Sequence, residues 1–266
     1  MSFYGSAFTF DGVSSEDYGL MLYDFNNVSQ GNSAYASGMT IQEDRIPLQY
    51  KSLYYGSYFK EPLEFTLVFG ADEYTALNHE DIDRQEMDLI GSWLTGKQGY
   101  RWLSIAQPDL FNVRYRCIIT DLKVIEFSGF KWAFQCTVHC DSPFGYLYPE
   151  EYNLSVSGEE TLLLRSLSSY HGYYYPKVEL SLNDGGSFTI TNMTDNQSKF
   201  SVTDYPSADT LVIDGEHGII TSKSIKNPYV YCNFDFPKLV RGDNILKFSG
   251  NGNVKIICEF PVNIGG

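Results

Sequence analysis

The chain of 266 residues is long enough for two domains of ordinary size or one large all-β domain. Apolar residues make up 43% and charged residues only 20%, a balance that excludes a disordered chain. The formal net charge of −14 argues against binding to nucleic acid, because such binding relies on Lys and Arg displacing counterions from phosphates. The 21 Tyr and 18 Phe favour strands over helices and suit a subunit of an assembly.

Hydrophobic patterning gives no sign of a membrane protein. Apolar runs such as Leu162–Leu164 are far shorter than the roughly 20 residues of a membrane-spanning helix. The N-terminal sequence Met1–Gly5 has neither a basic region nor a long apolar stretch. We therefore expect no secretory signal, and synthesis in the cytoplasm.

Period-two alternation of apolar and polar residues predicts several strands in the first part of the chain. Leu63–Phe69 and Val113–Thr120 both alternate in this way. The clearest strand is Phe130–Cys140, in which the even-numbered residues from Phe130 to Cys140 face one way. It is expected to end before Pro143, since proline cannot donate to a strand ladder.

One helix is predicted from about Arg84 to Leu94. Asp83 is its expected N-cap, and Glu86 stands three residues later, at the spacing of a capping box. Gly96 follows as a stop signal. The expected apolar face is formed by Met87, Ile90 and Leu94, with Trp93 beside it.

A loop and an aromatic segment precede these elements. Asn26–Ser37 is rich in Asn, Ser and Gly and is predicted to be a loop. The segment Arg45–Glu61 is predicted to be an aromatic hairpin, in which the candidate contact residues are Tyr50, Tyr54, Tyr55, Tyr58 and Phe59. Two interpretations stay open: a packed edge of the core, or a hairpin that reaches onto a neighbouring subunit.

The second part of the chain is predicted to be almost purely β. We expect a boundary near Tyr146–Ser157, and hence domains of residues 1–148 and 149–266. The predicted strands are short: Val178–Leu182, Phe188–Asn192, Lys199–Val202, Thr210–Asp214, Gly218–Ser222, Asn244–Ser249 and Asn253–Phe260. Turn signals at Asn183–Gly186, Asp214–Gly215 and Gly250–Asn253 separate them, a spacing typical of a β-sandwich.

The cysteines point to structural thiols. There are five, an odd number without a C-x-x-C motif: Cys117, Cys136, Cys140, Cys232 and Cys258. On one strand Cys136 and Cys140 would lie roughly 13 Å apart, too far for a disulfide. We expect buried free thiols.

Two short clusters resemble metal or acid–base sites, but each has a structural explanation that we prefer. Asp214–Gly218 combines Asp, Glu and His, yet Asp-Gly is a common hairpin turn with solvated neighbours. Acidic residues crowd the start of the predicted helix, without the spacing of an EF-hand: Asp81, Asp83, Glu86 and Asp88. There they are expected to cap the helix and to stabilise its dipole.

The chain offers no recognisable catalytic motif. The four histidines (His79, His139, His171 and His217) lie outside any nucleophile or zinc motif, and no phosphate-binding loop is present. His139 is expected to be exposed or at a domain contact. We predict no enzymatic activity, no catalytic residue, no metal and no cofactor.

A second tyrosine cluster surrounds His171 and Gly172. It consists of Tyr170, Tyr173, Tyr174 and Tyr175. Aromatic side chains on β-sandwiches can stack on sugars, so carbohydrate binding is one interpretation. A packing role between linker and domain, or a contact with a partner, is the interpretation that we favour.

Four stretches, spread over nearly the whole chain, resemble the distal tail protein family of siphophages that infect Gram-positive hosts. They are the opening Phe8–Leu20, the helix and return in Ile90–Gly96 and Gly99–Leu103, the strand Phe130–Cys140 closing on Asp141–Pro143, and Asp209–Glu216 followed by Leu239 and Gly242–Asn244. The stretch Arg45–Leu48 departs from the Val-Pro-Gly-Arg-like pattern of the family.

The resemblance implies a mainly β protein with an N-terminal β-sandwich-like belt domain carrying one α-helix, and a C-terminal galectin-like β-sandwich. It further implies a homohexameric ring at the virion tail tip. Such a ring joins the tail tube protein to a tail-associated hub protein, with the tape measure and receptor-binding proteins as further partners. Genomic DNA would pass through without specific binding, past a wall that we expect to be acidic.

Two other classes of function remain as alternatives. The first is a carbohydrate-binding adhesin module that attaches to the host surface through the Tyr170–Tyr175 region. The second is a cell-wall hydrolase, which would need a positioned pair of carboxylates or a set of metal ligands brought together by folding.

Overall fold

The computed structural model describes residues 7–23, 38–59, 61–71, 82–127 and 129–263. The loop predicted at Asn26–Ser37 lies outside these residues. The chain divides into two compact units, one made of residues 1–146 and 263–266 and the other of residues 147–262. Strands dominate both units, and the one α-helix of the described residues lies in the first. The prediction of a mainly β protein is thus confirmed. Two short 3-10 helices, Ser15–Tyr18 and Pro228–Tyr231, complete the helical content of the part described.

The N-terminal unit is built on one antiparallel sheet and a separate hairpin. Its strands are β1 (Phe8–Phe10), β2 (Val13–Ser14), β3 (Leu20–Leu22), β4 (Met39–Asp44), β5 (Leu53–Phe59), β6 (Glu64–Ala71), β7 (Arg101–Ile105), β8 (Val113–Phe127) and β9 (Phe130–Cys140), while β10 (Gly145–Leu147) straddles the boundary. Seven of them pair in the order β2-β1-β7-β8-β9-β6-β3. Strands β4 and β5 pair only with each other among the described strands.

The helix α1 (Arg84–Thr95) confirms the predicted element. The Asp83 carboxylate accepts hydrogen bonds from the backbone N–H groups of residues 85 and 86, and the Glu86 carboxylate accepts the N–H of Asp83, which completes the capping box. On its buried side Trp93 stacks on Phe8 at 5.6 Å and donates its indole N–H to the Phe10 carbonyl. The helix is thereby held against the first strand of the sheet.

Strand β9 has the predicted bounds, but its alternation is irregular at the start. Phe134, Cys136 and Val138 are buried as expected. Phe130 is 46% exposed, however, whereas Ala133, predicted to face away from the core, is fully buried. The neighbouring strand β8 shifts register twice against β9 in this region, and such shifts change which side chains face the core.

The C-terminal unit consists of strands whose inner faces share one core. They are β11 (Glu150–Ser166), β12 (Lys177–Leu182), β13 (Gly186–Asn192), β14 (Ser198–Tyr205), β15 (Asp209–Asp214), β16 (Ile219–Ser222), β17 (Gly242–Cys258) and β18 (Pro261–Val262). The order is β14-β13-β17-β12-β15-β16, with β11 along β17. The predicted strands of this part overlap observed strands, but the predicted turn at Gly250–Asn253 is wrong, and strand β11 was not predicted.

The Gly250–Asn253 segment was expected to be a turn and is instead the middle of β17. The first half of β17 pairs with β13 and its second half with β12, so the strand bends as it passes from one neighbour to the other. Gly250 has a φ of 144°, and a Cβ there would lie 2.5 Å from a ring carbon of Phe188. A Cβ on Gly252 would lie 2.5 Å from the Ser181 carbonyl oxygen. These glycines permit close contact between backbones rather than a turn.

The second difference is β11, a strand that runs through the expected boundary segment Tyr146–Ser157. It was not predicted, although Tyr152, Leu154 and Val156 alternate there with polar residues in the manner of a strand. It pairs with β17 along its whole length, and Gly158 stands opposite Gly250 at the bend. Only Val156, Leu164 and Ser166 of β11 are fully buried.

All five cysteines are free, as predicted, and all but the half-buried Cys232 are buried. Burial raises the pKa of the Cys136 and Cys140 thiols to about 12 and that of Cys232 to about 11. Cys117 lies opposite Cys140 in the β8–β9 ladder. These thiols act as small apolar groups in the core.

Candidate functional site

The hairpin of β4 and β5 is the most exposed aromatic feature of the described residues. Tyr50, Tyr54, Tyr55 and Tyr58 are 88%, 63%, 63% and 46% exposed, so they do not form a packed edge of the core. The apolar side chains of Met39, Ile41, Ile46, Leu48 and Leu53 are exposed with them. A two-stranded hairpin in water is marginally stable, and exposed apolar surface of this kind marks an interaction site.

The Phe59 side chain links the hairpin to the body of the N-terminal unit. The half-buried ring of Phe59 meets the buried Phe144 edge to face, with centroids 5.0 Å apart. Towards the tip, the Tyr54 hydroxyl donates to the Ser57 hydroxyl at 3.1 Å. A register shift after Gln42 places Gly56, with a φ of 147°, in the bulged region.

The four tyrosines of the C-terminal cluster do not share one surface. Tyr170 and Tyr173 are each 45% exposed. Tyr174 points into the unit, where its ring packs on Phe260 and its hydroxyl oxygen accepts the N–H of Glu259 at 2.6 Å. Burial raises the pKa of Tyr174. Tyr175 is half-buried.

Tyr173 belongs to a small polar group at the surface. Its hydroxyl donates to the Asp195 carboxylate at 3.1 Å, and this hydrogen bond raises the pKa of Tyr173. The Lys238 ammonium lies 4.9 Å from the centre of the Tyr173 ring and pairs with Asp235 at 2.9 Å. The group holds Tyr173 in place through a cation–π contact and a charge-assisted hydrogen bond.

The clusters considered for metal or acid–base chemistry act locally. His217 Nδ1 lies 2.9 Å from the Asp214 carboxylate, which also accepts the backbone N–H of His217, in the turn between β15 and β16. His139 contacts the Glu64 carboxylate at 3.0 Å from the neighbouring strand. Asp83 and Glu86 cap α1, Asp88 is exposed, and His171 is exposed, whereas His79 and Asp81 lie outside the described residues.

Two kinds of site are absent from the described residues. No group of three or more His, Cys, Asp or Glu side chains is arranged to hold a metal ion there. None of the helices in that part of the chain has the length and apolar character needed to cross a membrane.

A buried carboxylate network was not predicted from the sequence. Asp209, only 8% exposed, accepts hydrogen bonds from the hydroxyls of Tyr205, Ser222 and Ser224 and from the N–H of Thr210. Burial alone would raise the pKa of Asp209, but these four donors outweigh it and lower the pKa to about 2. The network fixes the β14–β15 connection to the end of β16, and no sequence motif marks it.

Two family models match nearly the whole chain. Residues 3–142 match the family model described as a phage tail protein N-terminal domain, and residues 144–258 match the one described as a phage tail C-terminal domain. The chain therefore belongs to this family of phage tail proteins, which is structural in nature. No curated protein matches the sequence.

Among solved structures, the chain is similar to the Dit protein of phage SPP1, described as a paradigm of the hub adsorption apparatus in phages that infect Gram-positive bacteria. The match has a TM-score of 0.67 and covers 96% of this chain and 98% of the SPP1 chain, at 11% sequence identity. At this identity the likeness establishes a shared fold. The resemblance to siphophage distal tail proteins is thus confirmed.

Proposed function

We propose that six copies of the chain form a ring at the distal end of a long, non-contractile phage tail. The ring joins the tail tube protein to a tail-associated hub protein and gives attachment to receptor-binding proteins. It leaves a channel through which DNA passes without specific binding, and the tape measure protein is a further partner. The chain is made in the host cytoplasm, has no enzymatic activity, and carries a galectin-like C-terminal domain of residues 149–266 on the ring-forming domain of residues 1–148.

The observation that carries this proposal is the exposed β4–β5 hairpin. The side chains of Tyr50, Tyr54, Tyr55 and Tyr58 are exposed in the single chain, and membership of a phage tail family supplies the setting in which copies and partners meet. A hairpin laid onto the next copy would bury these rings and stabilise both molecules. The fold shared with the SPP1 hub protein supports the position at the tail tip.

Solution mass and electron microscopy test the ring. Six copies of 30.2 kDa give about 181 kDa, and we expect this mass or twice it by light scattering, with a central hole in negative stain. In virions that carry an affinity tag on this chain, gold label is expected at the distal tail end. Label along the tube or at the head would overturn the proposed position.

A second candidate, a carbohydrate-binding adhesin module, rests on the exposure of Tyr170 and Tyr173. Exposed tyrosine rings can stack on sugars, and Tyr173 is held in a fixed orientation by Asp195 and Lys238. A glycan array would show binding that Tyr173→Ala abolishes. An array without binding removes this candidate and leaves the ring proposal intact.

A further inference from the structure

Strand β11 leaves one long edge of the C-terminal sheet open. It pairs with β17 from Glu150, opposite Cys258, to Ser166, opposite Gly242, and among the described strands it has no other partner. The backbone N–H and C=O groups of its outer edge therefore point away from the sheet. The edge is 17 residues long, or roughly 55 Å at the usual rise per residue.

Some of the usual protections of an edge strand are missing from β11. Folded proteins blunt such edges with short strands, charged side chains, proline or bulges. This strand is long, contains no Pro and keeps one register with β17, and its charged residues lie outside the stretch Tyr152–Gly158, at Glu150, Glu151, Glu159, Glu160 and Arg165. Asn153, Ser155 and Ser157 are exposed along its first half. The edge is thus open to the addition of an extended segment, whose main chain would supply the hydrogen bonds.

The glutamates of β11 are placed symmetrically about the middle of the strand's first half. The uncharged stretch Tyr152–Gly158 is flanked by Glu150 and Glu151 on one side and by Glu159 and Glu160 on the other. Glu151 pairs with a lysine of β17 at 2.8 Å and Glu159 with another at 2.9 Å. Glu150 and Glu160 form no ion pair in the described part of the chain, although the Glu150 carboxylate accepts a hydrogen bond from the Tyr152 hydroxyl at 2.8 Å. Their even spacing places them on the same face.

This symmetry disfavours a second copy of the chain as the occupant. In an antiparallel pairing centred on Ser155, Glu150 would lie opposite the partner's Glu160, and Glu151 opposite the partner's Glu159. Like charges directly opposite each other destabilise a strand pair. The arrangement that would pair the uncharged stretches of two copies therefore repels them, whereas a segment with a cation at each end is attracted.

We propose that the outer edge of β11 binds an extended segment of a different tail protein, with an uncharged centre and a Lys or Arg at each end, spaced like Glu150 and Glu160. The setting rests on the assembly role proposed above. The binding itself needs neither the ring nor the hairpin, so it is tested on the isolated full-length chain, and its failure is distinguishable from failure of the ring.

The first test uses a fluorescent probe peptide of alternating Thr and Val with a Lys at each end, and a matched peptide with Glu at both ends. Fluorescence anisotropy is expected to show at least tenfold tighter binding of the Lys probe, weakened by added salt. The variant E150K/E160K is expected to reverse the preference. Absence of binding, equal binding of both probes, or an unchanged preference in the variant would overturn the proposal.

The second test asks whether charge keeps two copies apart. In a pair of E150K copies, the new ammonium of each copy would lie opposite Glu160 of the other copy. This gives two attractive charge pairs, so self-pairing becomes favourable. Ser155 lies at the centre of that pairing, and S155C in the E150K background is expected to form a disulfide between copies. The matched control E216K/S155C, with the same charge change in an exposed turn, should not. An abundant S155C disulfide without E150K would show that a second copy occupies the edge.

Discussion

The β4–β5 hairpin and the C-terminal unit are both antiparallel and rich in aromatic residues. They differ in where these side chains lie, because the rings are exposed in the hairpin and buried in the C-terminal unit. Phe188, Phe200, Phe248 and Phe260 of the C-terminal unit are at most 1% exposed, whereas the exposed tyrosines of the hairpin reach 88%. In the C-terminal unit these rings belong to one core of buried side chains. The exposed rings of the hairpin lie outside any such core of the described residues. The same residue types therefore stabilise the fold in one region and offer a surface for assembly in the other.

The largest effect is expected from the hairpin. Combined replacement of Tyr54 and Tyr58 by Ala should abolish the 181 kDa species, because aromatic residues dominate the binding energy of interfaces. The midpoint of thermal unfolding of the single chain should change little, since both rings are exposed. Size-exclusion chromatography with light scattering and thermal unfolding followed by circular dichroism measure the two quantities.

Replacement of Tyr170 and Tyr173 by Ala is the matched control, because these rings are similarly exposed but lie in the other unit. This control variant should leave the hexamer intact. If the control variant dissociates the hexamer and the hairpin variant does not, the contact surface has been assigned to the wrong region.

In the C-terminal unit, by contrast, substitutions should lower the stability of the single chain. In Gly250→Ala the new Cβ would meet the Phe188 ring at 2.5 Å in a backbone conformation that L-residues rarely adopt, so we expect a loss of roughly 3 kcal/mol. Gly158→Ala shares the positive φ but has open space around its Cβ, and roughly 1 kcal/mol is expected. Urea titration gives both values. Equal losses would mean that the contact with Phe188 relaxes.

Local signals in the sequence were sufficient for some of these elements. The capping box at Asp83 and the alternation of Phe130–Cys140 each depend on neighbouring residues, and both elements appear as predicted. Two segments differ from the prediction. Gly250 lies in a sequence typical of a turn, and only its contact with Phe188 shows that it belongs to a strand. Strand β11 begins with a local alternation of apolar and polar residues, but its full length is defined by the complete ladder with β17.

The candidate site shows the same limit. A crowd of tyrosines in Arg45–Glu61 predicts an aromatic hairpin, but only the three-dimensional structure shows that the rings point outward. In the second cluster, Tyr173 and Tyr174 are adjacent in sequence, yet one is exposed and the other packs on Phe260. The network around Asp209 joins three strand ends, which no local pattern reveals.

A smaller effect on stability is expected at that network. The pKa of Asp209 is lowered to about 2 in the folded chain, so its contribution is fully present above pH ~4 and is lost as the pH falls towards 2. Asp209→Asn should lose roughly 2 kcal/mol at neutral pH and progressively less as the pH falls through 2. Urea midpoints between pH 2 and 7 measure this, with the exposed Glu216→Gln as control. A difference that is constant with pH would mean that charge is not the cause.

The smallest effect is expected where the hairpin touches the body of its own unit. Phe59→Ala removes the edge-to-face contact with Phe144, and because the Phe59 ring is only half-buried, the free energy of unfolding should fall by about 1 kcal/mol. Tyr50→Ala removes a side chain that is 88% exposed, so the free energy of unfolding should change by less than about 0.5 kcal/mol. Urea titration of the dilute chain separates the two. A loss at Tyr50 as large as at Phe59 would show that the outer rings already contribute to the stability of the single chain, and the contrast between the hairpin and the C-terminal unit would then fail.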